Sequence, residues 1–376
     1  MQLKAGGGGG SSALILFSII GILNAEIFES YDSQKASSSS VNERSKDGIL
    51  TDVGESGAPE EGNIEAQLQL EQIRVSKPLG EVSAVAIDSS GNLIAFHRGD
   101  RIWDKDSFTD DFKMSSSLDA IKNSTIFVIE PSTGKVLAEH GENEFYMPHG
   151  MTIDSKGNLW VTDIGRHQVI KLCGKTFKPI LILGEKLVPG DDETHFCQPT
   201  DVAVSADGQF IFIADGYCNA RIMKFDSNGT FIEEFGNPPE TMPAKNGEFF
   251  IPHSIALIED LNLLCVADRE NQRIQCFSAG LSQGHRQTSP TGMFVTKAEN
   301  IGRVYAIREK RHYLVGITGS TEDSESVEPQ IFVMDMDTGK AETYAKGLEG
   351  HALAVDTNGN VFIAQMHPNQ ILRMQL

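Results

Sequence analysis

A short pattern recurs along the chain from residue 81 onward, and its period limits the fold more than any other feature. Ser83-Ala84-Val85-Ala86-Ile87-Asp88, His149-Gly150-Met151-Thr152-Ile153-Asp154 and His351-Ala352-Leu353-Ala354-Val355-Asp356 are each followed by a Gly-Asn turn and a second apolar run, at 92–96, 158–162 and 360–364. Further copies begin at Thr200 and His253. The starts at 149, 200 and 253 lie about 50 residues apart, and 351 falls about two periods later. Short β-runs separated by Asp/Gly/Asn turns at such a period are propeller blades: one small sheet cannot bury both its faces and must stack on neighbours.

The expected fold class is therefore all-β, a six-bladed β-propeller with four-stranded antiparallel blades. In the third unit the strands are expected at 200–205, 209–215, 221–225 and 230–235. The first unit carries an insertion near 101–123. The fifth is degenerate, roughly 302–344, with an acidic loop at 321–328. The sixth ends after its third strand, because the chain stops at Leu376. An unpaired edge invites aggregation, so residues 68–75 are expected to add the missing outer strand and close the ring.

Ahead of the repeats, residues 1–25 read as a signal peptide, with Lys4, an apolar run over 13–23 and Ala25 as a cleavage position. That run is shorter than the roughly 20 residues of a spanning helix. Residues 26–66 are acidic and Ser/Gly-rich without a structural period, which reads as a disordered linker. The propeller domain then occupies 67–376. The mature chain is expected to be a monomer without a membrane span, secreted or held in the secretory lumen, with Asn123 and Asn228 as glycosylation sequons. With 52 acidic against 32 basic side chains, a net charge of −20, nucleic acid is not an expected partner.

Blade topology says where chemistry can gather. The first strand of each blade lines the axis and the second returns antiparallel, so the start of strand one and the turn after strand two share a face. The first position offers Ser83, His149, Thr200, His253, a residue near 301, and His351. The three histidines alternate around the ring, so their imidazoles can meet near the axis. Three neutral imidazoles with an open fourth position form a catalytic zinc arrangement. The turn after strand two offers Arg98, Tyr217 and Arg269. Two guanidinium forks beside a metal suit an anionic substrate, and Tyr217 could serve as a base if positive charge lowers its pKa. The plainer reading is that each arginine braces its turn through an acid such as Asp100 or Asp268. Cys265 and Cys276 are symmetric about Glu270-Asn271, so a hairpin there sets them opposite one another. A Cys197–Cys218 bridge would pin the tyrosine loop, which leaves Cys173 as a spare thiol at a strand end.

Phe96-His97-Arg98-Gly99-Asp100, Tyr146-Met147-Pro148-His149-Gly150, Asp215-Gly216-Tyr217-Cys218-Asn219, Ile251-Pro252-His253 and Ala267-Asp268-Arg269-Glu270-Asn271 together resemble the stand-alone peptidyl-α-hydroxyglycine α-amidating lyases. The resemblance runs over about 68–376; NHL-repeat propellers in general share the rhythm but not this residue set. It implies cleavage of a peptide ending in α-hydroxyglycine to a peptide amide and glyoxylate, on substrate delivered by a separate copper monooxygenase. By resemblance His149, His253 and His351 hold zinc, Tyr217 takes the hydroxyl proton, Arg98 positions the carboxylate and Arg269 assists. The pairs 197–218 and 265–276 also match the family's disulfides. A structural calcium would use the backbone carbonyls of Val85 and Met151. The sixth unit departs from the family: Met-Pro-His-Asp is usual there, with the Asp on calcium, and this chain has Glu349-Gly350-His351-Ala352. Two carbonyls alone leave a hard cation under-coordinated. The alternatives are a non-catalytic secreted propeller that binds protein partners, and a calcium-dependent lactonase or esterase. The latter wants carboxylates on the axis, where this chain offers imidazoles.

Overall fold

The computed structural model describes residues 70–281, 289–320 and 327–376. The expected signal peptide and linker, residues 68 and 69 of the closing strand, and residues 321–326 of the acidic loop lie outside the described residues. Those described form six four-stranded antiparallel sheets. The inner strands are β2 (Val82–Ile87), β6 (Pro148–Ile153), β10 (Pro199–Val204), β14 (Pro252–Ile258), β18 (Arg303–Lys310) and β22 (Ala352–Val355). Each inner strand contacts the next, and β22 contacts β2, so the ring is a six-bladed propeller. The expected strands of the third blade agree with the structure to within one residue at every end.

Local chemistry makes the blades. Asp88, Asp154 and Asp356 end three inner strands, and each carboxylate accepts from the two backbone N–H groups at positions two and four residues on. These Asx turns hand the chain to the second strand. The glycine before the second strand has φ near +80° (Gly157, +79°), a region glycine enters without Cβ strain. The fifth blade lacks this turn: Lys310 pairs with Tyr313 across Arg311 and His312, both at positive φ, a tight hairpin made without glycine. That difference is why its repeat is hard to see in the sequence.

Inner strands are buried on both faces, and fourth strands alternate or are largely exposed. The core therefore lies between blades, with Phe96, Ile126 and Phe145 in one layer and Phe212, Phe249 and Phe277 in another. The ring closes as expected. Strand β1 (Glu71–Ile73) pairs antiparallel with β24 (Gln370–Gln375), Ile73 opposite Ile371, and completes the sixth sheet.

Candidate active site

At the start of five of the six inner strands the register slips by a bulge, between Val82 and Ala84, Pro148 and Met151, Pro199 and Asp201, Pro252 and Ser254, and Val304 and Ala306. A bulge adds a residue out of step with the ladder and re-aims its side chain. His149 and His253 are such residues, and His351 directly precedes β22, its N–H bonded to the Ala364 carbonyl. The fifth member is Tyr305, not a residue near 301, four positions later than the sequence reading placed it. The shared Ala of Ser83-Ala84, Tyr305-Ala306 and His351-Ala352 is the signal that could have found it.

The three imidazoles form a near-equilateral triangle, with ring centroids 4.7, 4.8 and 4.9 Å apart. Each Nδ1–H donates to the backbone carbonyl of the equivalent residue in the next blade: His149 to Thr200 at 2.8 Å, His253 to Tyr305 at 2.6 Å, His351 to Ser83 at 2.6 Å. Those bonds set the tautomer and turn three Nε2 lone pairs inward, as outer-shell acceptors do for metal-bound histidines. One potential ligand atom from each lies within 4.8 Å of the others. Burial, with positive charge from Arg98 among the further causes, holds His149 well below the usual imidazole range and His351 at about 3; burial first and then its imidazole neighbours do the same to His253. All three are neutral and ready to ligate.

Tyr217 closes over the triangle. Its hydroxyl lies 2.9 Å from His149 Nε2 and 3.1 Å from His253 Nε2. Neither Nε2 carries a proton, so the phenol can donate to only one, and the other lone pair faces oxygen. A cation among these atoms would resolve the conflict, and the donor set fits a metal. Burial pushes the phenol up to about 12, against the opposing pull of Arg269 and Arg98. The arginines lower it, but burial outweighs them. Its backbone sits at φ +60°, a left-handed conformation held by the Cys197–Cys218 disulfide and by Asp215, which accepts from Cys197 N–H at 2.8 Å.

Arg98 is 1 % exposed. Its Nη1 pairs with Glu81 at 2.7 Å and its Nε donates to the Pro148 carbonyl, while Nη2 has no partner among the described residues. Arg269 lies over the Tyr217 and Tyr305 rings at 5.4 and 5.0 Å and pairs with Glu270, which also binds Arg303. The acids bracing these arginines are thus Glu81 and Glu270; Asp268 serves Arg273 instead. Sequence reading also missed Trp103, from the first-blade insertion, whose ring lies 4.8 Å from Tyr217 and 5.4 Å from the Arg98 guanidinium.

With this geometry in view, the relatives are informative. A Caenorhabditis elegans protein named as a probable peptidyl-α-hydroxyglycine α-amidating lyase is 52 % identical over 80 % of this chain and 84 % of its own length. The chain belongs to the peptidyl-α-hydroxyglycine α-amidating lyase family. It is a lyase of peptide amidation. A mouse peptidyl-glycine α-amidating monooxygenase is 40 % identical over 79 % of this chain, which spans only 30 % of that relative's length. The NHL-repeat model matches residues 145–172, 196–225 and 251–277 of this lyase, its second to fourth blades. A Xanthomonas campestris gluconolactonase structure aligns with a TM-score of 0.54 at 12 % identity, over 82 % of this chain and 90 % of that one, a likeness of fold alone.

Both expected disulfides of the lyase are present, with Cys265 directly opposite Cys276 in the ladder, and two such bridges belong in an oxidising compartment. Cys173 is a free thiol just past a strand end, its pKa lowered chiefly by the Thr176 hydroxyl. Asn123 and Asn228 are exposed. Among the described residues no helix is long and apolar enough to cross a membrane. The residues around the proposed calcium do not fit it: position 352 is alanine, and the Arg308 guanidinium reaches to 3.4 Å from the Met151 carbonyl.

Proposed function

We propose that this lyase splits peptides ending in α-hydroxyglycine into a C-terminal peptide amide and glyoxylate, with His149, His253 and His351 holding zinc. The observation that carries the reading is Tyr217, its hydroxyl between two imidazole Nε2 atoms and the Arg269 guanidinium over its ring. The substrate carbon bears a hydroxyl, a carboxylate and the amide nitrogen. The C–N bond breaks as the hydroxyl oxygen forms a double bond to that carbon. Tyr217 takes the hydroxyl proton and nitrogen regains one. Arg98 Nη2, uncommitted and buried, binds the carboxylate; Arg269, over the Tyr217 ring, favours the phenolate. Zinc, when bound, supplies Lewis-acid polarisation of the hydroxyl and further positive charge near the phenol. The oxidising chemistry that installs the hydroxyl belongs to a separate copper monooxygenase, and the two disulfides accord with work in the secretory lumen.

A glyoxylate assay on an α-hydroxyglycine peptide, run beside metal analysis of the purified chain, tests this. Tyr217→Phe should lower kcat by about 10²–10⁴-fold, the range for loss of a general base, with zinc content unchanged. Full turnover by that variant would remove the tyrosine from the chemistry, and active protein without bound metal would remove the zinc.

A further inference from the structure

One step along each inner strand from the histidine layer, the six blades present Ala84, Gly150, Asp201, Ser254, Ala306 and Ala352. Four are small, which leaves space near the axis. At Gly150 even a Cβ would lie 2.2 Å from the Thr200 carbonyl, so the neighbouring blade is already close there. The two remaining residues carry oxygen, and both turn it on one group. Arg308, from β18, places Nη1 2.8 Å from Asp201 Oδ2, 3.0 Å from Ser254 Oγ and 2.8 Å from the Ile307 carbonyl. Its Nη2 lies 3.4 Å from Asp201 Oδ1 and 3.4 Å from the Met151 carbonyl. The guanidinium thus touches the second, third, fourth and fifth blades. Asp201 also accepts from Ser254 Oγ at 2.7 Å and from Ile255 N–H at 3.2 Å, so carboxylate, hydroxyl and cation form one network.

We infer that Arg308 is a built-in axial cation that takes the place of a divalent ion in this propeller and makes its stability independent of calcium. A carboxylate, a hydroxyl and backbone carbonyls converging from several strands are the hard oxygen donors calcium collects. Here the Asp201 charge is already matched by a permanently charged fork, and its pair lies in a poorly solvated channel, 19 % and 3 % exposed. A divalent ion reaching the Met151 carbonyl would sit against the guanidinium with no second carboxylate to offset it, because position 352 is alanine. Met151 is one of the two carbonyls expected to serve such an ion, and Ile307 occupies the same repeat position in another blade, so the arginine already bonds one expected ligand and its equivalent. The inference holds whatever the lyase's substrate, since its readouts are melting and ion binding.

The experiment compares the zinc-loaded wild type, Arg308→Ser and Arg308→Ser/Ala352→Asp in calcium-depleted buffer and again with about 5 mM CaCl2, a concentration that stabilises any native state holding a calcium site tighter than that. Melting is followed by calorimetry and calcium binding by titration. The wild type should bind no calcium and shift by less than about 1 °C. Arg308→Ser should melt roughly 5 °C lower, because it strands the buried Asp201 charge. The double variant should bind calcium and recover most of that loss. Calcium binding by the wild type would overturn the inference without any variant needing to fold. So would an Arg308→Ser protein as stable as its parent, or a double variant blind to calcium.

Discussion

Arg98 is positioned by everything except the nitrogen it has left to offer. Glu81, the Pro148 carbonyl and the Trp103 face fix the guanidinium, and Nη2 is the single buried donor of that side chain without a partner. A lysine could keep the ion pair with Glu81 but not also reach a carboxylate in a second direction, since it lacks the planar fork. Arg98→Lys should therefore raise KM about 10–100-fold, the worth of a charge-assisted hydrogen bond, with a smaller change in kcat. Steady-state glyoxylate kinetics check this, and an unchanged KM would detach Arg98 from the carboxylate. At this scale the sequence was legible wherever a residue's position follows from its place in the repeat. Arg98, Tyr217, Arg269 and the three histidines all follow from strand starts and turns. Glu81, Trp103 and Arg308 do not: Glu81 precedes its blade's first strand and pairs with the turn after the second, Trp103 comes from an insertion, and Arg308 bonds across blades, so no period encodes them. Tyr305 stood in between, in register but hidden by a blade whose turn chemistry differs.

Elements rather than single residues hold the tyrosine in place. Strand β11 (Phe210–Asp215) delivers Asp215 to its end, where the buried carboxylate binds the Cys197 N–H, Asn219 and Arg221 and so joins the entry and exit loops of one blade. Asp163 and Asp268 repeat the device, accepting from Met147 and Phe250 N–H just before His149 and His253. The bridge between Cys197 and Cys218 reinforces the same junction. It closes a separation of 21 residues, against 11 for Cys265–Cys276, so both should contribute about 3 kcal/mol by loop-closure entropy. Their catalytic weights differ. Cys197→Ser/Cys218→Ser frees the backbone of Tyr217 from its left-handed conformation, whereas Cys265→Ser/Cys276→Ser loosens a ladder already paired along its whole length. For similar losses in Tm the first variant should lose at least about tenfold more kcat, given the steep cost of misplacing a reacting group. Equal losses would show that the bridge serves stability alone. The pairings themselves could be read from hairpin symmetry and neighbourhood. The left-handed tyrosine could not, since nothing in a Gly-Tyr-Cys string specifies its φ.

The whole ring was the most legible feature of all, because a repeat of one supersecondary unit states the architecture many times over. Even the closing strand followed from counting: the sixth blade lacked a partner, and Glu71–Ile73 supplies it. What the count of ten histidines concealed is how many are buried outside the axial triangle. His97 and His167 are 2 % and 0 % exposed, and each uses Nδ1 to accept backbone N–H groups, from Gly80 and Gly99 and from Gln198 respectively. Protonation would destroy those acceptors. Burial accordingly lowers both imidazoles to about 4, although Glu139 opposes the effect at His97. The unfolded chain, with imidazoles near 6.5, takes up protons that the folded chain refuses, so stability conferred by the neutral rings is complete above 6.5 and is lost as pH falls toward 4. Asp215 and Asp268, pushed up to about 6 by burial, act in the opposite direction over an overlapping range. A difference measurement separates the two. Asn tolerates the φ of +56° at position 167 and its side-chain oxygen can accept the same N–H, yet it does not titrate. Between pH 7 and pH 5, His167→Asn should lose about 2 kcal/mol less unfolding free energy than the wild type, as read by urea denaturation at the two pH values. Parallel losses in the two proteins would mean that His167 is protonated in the fold, and that its N–H acceptor role is not what keeps this blade junction closed.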